Sequence, residues 1–214
     1  MTHIVRIEGA GPDRKARRLY LAEAETPIMT SAAVVKALEL AETDDVDPDE
    51  LRDALEATEA ECAKERALRL LTYRERSAAE LLNRLRDDGY SQATSQTVTE
   101  RMIELGLVDD ARFARMWARS RALSGMGRQR ITRELASKGV SPELVADALS
   151  EALEDEELDR ALGSLRSRPV PTDRKGRDRL IRRLVTRGYS IGVAAAAVAA
   201  HCEREDTDEP FVTD

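Results

Sequence analysis

Two histidines, two cysteines and a surplus of carboxylates are what this sequence offers to chemistry, and their spacing argues against most of it. His3 and His201 stand at opposite ends of the chain, without the close partners that a zinc site needs. Cys62 and Cys202 are also far apart in sequence, which suits reduced thiols packed as small apolar groups in a cytosolic protein. Asp45, Asp47, Asp49, Asp53 and Glu56 match the 1, 3, 5, 9 and 12 spacing of a calcium loop. Its sixth position is Glu50 rather than glycine and its eighth is Arg52, so the sharp turn of such a loop is missing. The same residues read more simply as a helix start, with Asp47 as N-cap, Pro48 as the first helical residue and Glu50 completing a capping box. Gly9-Ala10-Gly11 lacks the third glycine and the following helix of a phosphate-binding turn. No nucleophile elbow is present, and the other carboxylates sit at caps or on solvated faces. The chain therefore reads as a non-enzyme that needs no cofactor and no metal.

Arginine is the residue type that stands out. The 34 basic and 41 acidic side chains sum to −7, but they are unevenly spread. Residues 1–64 hold 8 basic and 15 acidic groups, residues 65–202 hold 25 and 20, and residues 203–214 hold 1 and 6. A basic body thus lies between two acidic ends. Arg112 to Lys138 carries eight basic residues against the single acid Glu134, and Arg160 to Arg187 carries ten against two. Such local excess is the electrostatic footprint of an acidic partner, nucleic acid or protein. Arg119, Arg121, Arg128, Arg130, Arg133 and Lys138 are the expected contacting side chains, with Arg174, Lys175, Arg182 and Arg183 as a second group.

These cations must be positioned by a repeated unit. In GRQRITRELASKGVSPELVADAL, Gly127 to Leu149, a basic helix with Ile131 and Leu135 on its apolar stripe ends at Gly139. Val140 and Leu135 fall where side chains touch in a Schellman ending. Ser141 and Pro142 then start a second helix at once. SAAELLNRLRDDGYS and GRDRLIRRLVTRGYS repeat the pattern around Gly89 and Gly188, fifty and forty-nine residues away. Leu85, Leu135 and Leu184 share one position, Tyr90, Val140 and Tyr189 the next, and Ser91, Ser141 and Ser190 the N-cap. A period of this length marks a stacked array of helical modules.

The alternation in His3 to Glu8 and the apolar run Arg18 to Ala22 predict a hairpin, with Thr26 to Met29 as a third strand. Ser31 caps a short helix through Leu38. From Pro48 the pattern is helical, with a break expected before a second helix near Ala60 to Tyr73, whose buried stripe is Ala67, Leu70 and Leu71. Ser77 to Glu80 forms a capping box. An insertion, SQATSQ, is expected to delay the next helix until Val98, Met102 and Ile103. Asp109 and Asp110 favour a helix start, after which Phe113, Met116 and Trp117 form a packed side. Ser167 to Gly176 reads as a loop and Ile191 to Ala200 as the last helix. Beyond Cys202 the chain is acidic and polar, and disorder is expected. No run of about 18 apolar residues and no leader pattern occurs, so a cytoplasmic location is expected.

ALRLLTYRERSAAELLNRLRDDGY, then LGLVDDARFARMWARSR, then GRQRITRELASKGV, resemble in order and spacing the RecX regulatory proteins of bacteria, over about residues 65–201. The Arg/Pro loop and alanine-heavy end of the third unit depart from that pattern, as does the acidic tail. The resemblance implies a mainly α fold, with tandem three-helix repeats in an elongated, curved array behind a small β-hairpin-containing front end. The expected division is 1–46 for the front end, 47–108 for a linker helix and first repeat, 109–153 and 154–202 for the second and third repeats, and 203–214 for the disordered tail. It also implies a non-enzymatic, monomeric modulator of the RecA recombinase. Such a protein lies in the groove of the RecA–DNA filament and inhibits filament extension, ATPase and recombinase activity in DNA repair and the SOS response. The competing reading is a direct DNA-binding helical protein, since 29 of the 34 basic residues are arginine and suit phosphates. Weak contact with single- or double-stranded DNA is expected even under the first reading.

Overall fold

The computed structural model describes residues 1–11, 13–153 and 157–206, except for the side chains of 204–206. Two compact units divide it, Met1–Asp109 and the chain from Asp110 onward.

The first unit begins with a sheet. In β1 (Thr2–Ala10), buried Thr2 and Ile4 alternate with exposed His3 and Val5, the period-2 pattern of a half-covered strand. It pairs antiparallel with β2 (Ala16–Leu21), Ile7 opposite Leu19, with a register shift between Ile4 and Arg6. β3 (Ile28–Ser31) pairs with β2. This third strand starts two residues later than Thr26, because Pro27 has no N–H to give to the ladder. A fourth strand, β4 (Asp45–Val46), pairs with the start of β1, giving the order β3-β2-β1-β4. Two residues are too few to show a period in sequence. Ser31 accepts the Val34 N–H at 3.1 Å and caps α1 (Ala32–Ala37).

Asp47 does cap α2 (Pro48–Tyr73), accepting the N–H groups of Asp49 and Glu50 at 3.0 and 3.2 Å. Those backbone bonds hold its carboxyl below the usual carboxylate range. The expected break near Ala60 is absent, and α2 is one helix of 26 residues. Its buried residues are Leu51, Leu55, Ala63, Ala67 and Leu70, whereas Leu71 is only half-buried. The gap in that stripe is filled by Glu59, whose carboxylate accepts from the backbone and hydroxyl of Ser91 and the hydroxyl of Thr94. A carboxylate at a helix start is favoured by the backbone dipoles there. The polar stretch that suggests a helix break is therefore a cap for another helix.

α3 (Ala78–Asp87) and α4 (Gln92–Glu104) complete this unit. α4 starts directly after Ser91, so SQATSQ is no insertion. Its early turns bury small polar residues, Ser95 and Thr99, and the Thr99 hydroxyl donates to the Ser95 carbonyl at 2.8 Å. Ile103, expected on the buried side, is exposed. One core joins sheet and helices, running from Ile4 and Leu19 through Ala63 and Ala67 to Leu81, Leu85 and Met102.

The second unit contains α5 (Asp110–Leu123), α6 (Arg128–Ser137), α7 (Pro142–Ala152), α8 (Glu157–Gly163), α9 (Arg174–Thr186) and α10 (Ile191–Asp206). One apolar cluster gathers Phe113, Ala118, Ile131, Leu135 and Leu149; a second gathers Ala161, Leu165, Leu184, Tyr189 and Ala197. Asp173 accepts the Gly176 N–H at 2.7 Å, so α9 starts at Arg174, inside the expected loop. α10 passes Ala200 and runs to Asp206, since no glycine or proline intervenes before Pro210. Residues 203–206 are therefore helical, and the rest of the expected tail, 207–214, lies outside the described residues.

The three glycine turns share one geometry across the two units. Gly89, Gly139 and Gly188 have φ of 96°, 76° and 97°. The next N–H, of Tyr90, Val140 or Tyr189, donates to the carbonyl of Leu85, Leu135 or Leu184, at 3.2 Å each time. All three leucines are fully buried. Ser91, Ser141 and Ser190 each accept a backbone N–H three residues on. Gly106 and Gly125 end α4 and α5 in the same way.

Candidate partner-binding surface

The single acid of the Arg112–Lys138 stretch organises the cations around it. Trp117 on α5 donates its indole N–H to Glu134 on α6 at 3.1 Å. Arg121, one turn along α5, reaches the same carboxylate at 2.8 Å, and Arg130, one turn before Glu134, reaches its other oxygen at 3.0 Å. The Arg121 guanidinium lies 4.5 Å from the Trp117 ring centre, and the Lys138 ammonium 4.2 Å from it. Cations over an indole face are attracted by the ring quadrupole. Phe113 stacks on Trp117 at 5.7 Å. Burial pushes the Glu134 carboxyl up, but the bonds from Arg130 and Trp117 and the charges of Arg121 and Arg130 outweigh it and hold it below the usual range.

This network divides the first group of expected contacts. Arg121, Arg130 and Lys138 are held within it, which makes them part of the scaffold. Arg119, Arg128 and Arg133 are exposed, Arg119 on α5 and the other two on α6. Met116, expected in the packed side of α5, is exposed as well. It borders a groove of about 690 Å³ whose rim includes Arg115, Arg119 and Arg160. Sequence spacing shows only the pairs within each helix, since Trp117 and Arg121, Arg130 and Glu134, and Glu134 and Lys138 are all four residues apart; the contacts from α5 to Glu134 depend on how the two helices pack.

The second group lies on α9, where Arg174, Lys175, Arg182 and Arg183 are all exposed. At about 100° per residue, Lys175, Arg179, Arg182 and Arg183 share one outward face, opposite buried Leu184. Arg179 was not among the expected contacts, although its position four residues after Lys175 is the signal.

The two basic helices meet end to end. The N–H groups of Gly127 and Gln129, at the start of α6, donate to the carbonyls of Arg187 and Gly188 at 2.9 and 3.1 Å. A Cβ on Gly127 would lie 2.4 Å from Gly188 backbone atoms, and one on Gly188 would lie 2.4 Å from the Arg130 Cβ. Tyr189 adds a bond from its hydroxyl to the Gly125 carbonyl at 3.3 Å. The exposed cations of α6 and α9 are thereby carried on two helices joined at their ends by backbone hydrogen bonds.

Residues 63–102 match the family model of the first RecX three-helix domain, and residues 109–149 match that of the second. The chain thus matches both RecX three-helix domains, in order. The Trp117 network, from Phe113 to Lys138, lies wholly inside the match to the second RecX domain. The regulatory protein RecX of Mycobacterium sp. strain JLS is 40% identical over 123 residues, which cover 57% of this chain and 64% of that relative. The one from Mycolicibacterium smegmatis is 40% identical over 118 residues, 55% of this chain and 60% of the relative. The match thus spans somewhat less than two thirds of these RecX relatives. Two crystal structures share the fold, both at 19% identity. One is a regulatory protein RecX, with a TM-score of 0.56 over 90% of this chain and 97% of that one. The other is RecX from Lactobacillus salivarius, with a TM-score of 0.59 over 68% and 97%. Among the described residues no helix is long and apolar enough to cross a membrane.

Proposed function

We propose that this chain is a non-enzymatic, monomeric regulator of the RecA recombinase that binds the RecA–DNA filament and limits its extension, acting in the cytoplasm during DNA repair. The observation that carries this reading is the ordered pair of RecX three-helix domains at 63–102 and 109–149. The helical modules of this proposal are 47–108, 109–153 and 154–202, following the front end 1–46. Its contact surface consists of the exposed cations Arg119, Arg128 and Arg133 with Lys175, Arg182 and Arg183. The physical logic is that of a tethered series: modules in one chain place several weak contacts at high effective concentration against a repeating partner. A protein bound to a growing filament stops addition of every later subunit. Inhibition should therefore exceed one-for-one stoichiometry.

The test is steady-state ATP hydrolysis by RecA on single-stranded DNA, with the chain present at well below one copy per RecA subunit. A several-fold loss of hydrolysis at that ratio is expected. Undiminished hydrolysis at equimolar protein would rule the reading out.

A further inference from the structure

We infer that the first unit holds a binding site for a phosphate-bearing ligand of nucleotide size, between α1, α2 and the loop that leads into β2. It does not rest on the filament reading.

The chain up to residue 64 is strongly acidic, with 15 acidic against 8 basic groups. One concavity of the first unit reverses that sign. A pocket of about 390 Å³ is bordered by Lys15 just before β2, Lys36 in the last turn of α1, and Arg66 and Arg69 one turn apart on α2. Asp88, at the end of α3, is the only carboxylate along its wall. That carboxylate is already satisfied: it accepts from Arg66 Nε at 2.5 Å and lies 3.5 Å from Arg84 Nε. Lys15, Lys36 and Arg69 have no ion pair among the described residues. Cations brought together by separate elements repel one another, and a concave wall concentrates their field. A bound anion relieves both effects.

The site is also preorganised. Asp88 is almost completely buried, and the Arg66 side chain is only 18% exposed. A guanidinium presents five N–H donors in a rigid fork. One is fixed on Asp88, which holds the plane and leaves the others for a phosphate, with little ordering left to lose on binding. Ala32, Ala33 and the buried ring of Tyr90 supply an apolar wall beside these cations. That combination suits a base and sugar attached to the phosphate better than a bare anion. The volume falls in the range of small-ligand pockets, roughly 300–1,000 Å³.

Two sources offer this chemistry, a free nucleotide and one residue of a nucleic-acid strand. The experiment measures binding of thymidine 5′-monophosphate and of a short oligothymidylate to the full chain, each at several salt concentrations. The variant Lys15→Gln/Lys36→Gln/Arg69→Gln keeps the Arg66–Asp88 pair. Arg18→Gln/Arg52→Gln/Arg86→Gln removes the same charge from exposed positions that do not line the pocket. If the ligand is a strand, the pocket variant should bind oligothymidylate about tenfold more weakly, with the logarithmic salt slope reduced by about 0.7, the value for one phosphate no longer neutralised. If it is a free nucleotide, the monophosphate should show the loss as well. The control should stay near wild type in both cases. Thermal unfolding matched to wild type verifies that the pocket variant is folded. Equal losses in pocket variant and control, or no binding of either probe by the wild-type chain, would overturn the assignment.

Discussion

Gly188→Ala should destabilise the second unit by about 2–5 kcal/mol, while Gly125→Ala in the same unit should cost only about 1–2. Both glycines have positive φ, 97° and 70°, so both variants incur the left-handed penalty of about 1–2 kcal/mol. They differ in what the new methyl group meets. At Gly125 the nearest atom is the far end of the Arg187 side chain, at 3.1 Å, which can swing away. At Gly188 it is Arg130, with Cβ at 2.4 Å and backbone N at 2.5 Å, and the backbone of a helix cannot move aside. The overlap forces α6 away from the α9 turn and breaks the two backbone hydrogen bonds between them. Trp117 is the only tryptophan and lies in the α5–α6 network, so its fluorescence reports unfolding of this unit in urea. Equal midpoints for the two variants would mean that the end-to-end joint is not formed as described.

That joint also marks the limit of what could be read before the structure. The three Leu-x-x-x-Gly turns were legible because each is local: a buried leucine, a left-handed glycine and a serine cap all fall within seven residues. The caps at Asp47 and Ser77 were legible for the same reason. The continuity of α2 was not, because Glu59 serves a serine thirty-two residues away. The start of α4 was hidden by the small polar residues on its buried face, Ser95 and Thr99, which read as loop by composition. For the candidate surface, charge counts located the basic stretches on α5, α6 and α9. They could not separate the cations tied to Glu134 and Trp117 from those facing solvent, since that depends on where α6 packs against α5. The pocket of the first unit was illegible for the strongest form of this reason: its four cations lie on three elements, separated by up to 54 positions in the sequence.

The second large effect concerns function. Under the proposed function, reversing Arg128 and Arg133 together to glutamate should weaken inhibition of RecA by about tenfold or more, because reversed charges at an interface slow encounter and oppose docking. Both side chains are exposed, so unfolding in urea should be unchanged. Arg130 is the wrong choice for this experiment, since it is bonded to Glu134 and packs on Gly188. Its reversal would place two carboxylates side by side and damage the joint. A matching pair on α9, Lys175 and Arg182, should act in the same direction. Inhibition undiminished in a folded Arg128→Glu/Arg133→Glu protein would move the contact surface elsewhere.

The filament reading and the direct DNA-binding reading differ most plainly in what the chain prefers to bind. Affinity for preformed RecA filaments on single-stranded DNA can be measured beside affinity for the same strand bare, at physiological salt. Phosphate contacts alone weaken steeply as salt rises, whereas a contact surface matched to the recombinase persists. The proposal predicts filament binding at least about tenfold tighter than binding to the bare strand, with the gap widening as salt increases. Equal affinity for the two, or a preference for the bare strand, would contradict it.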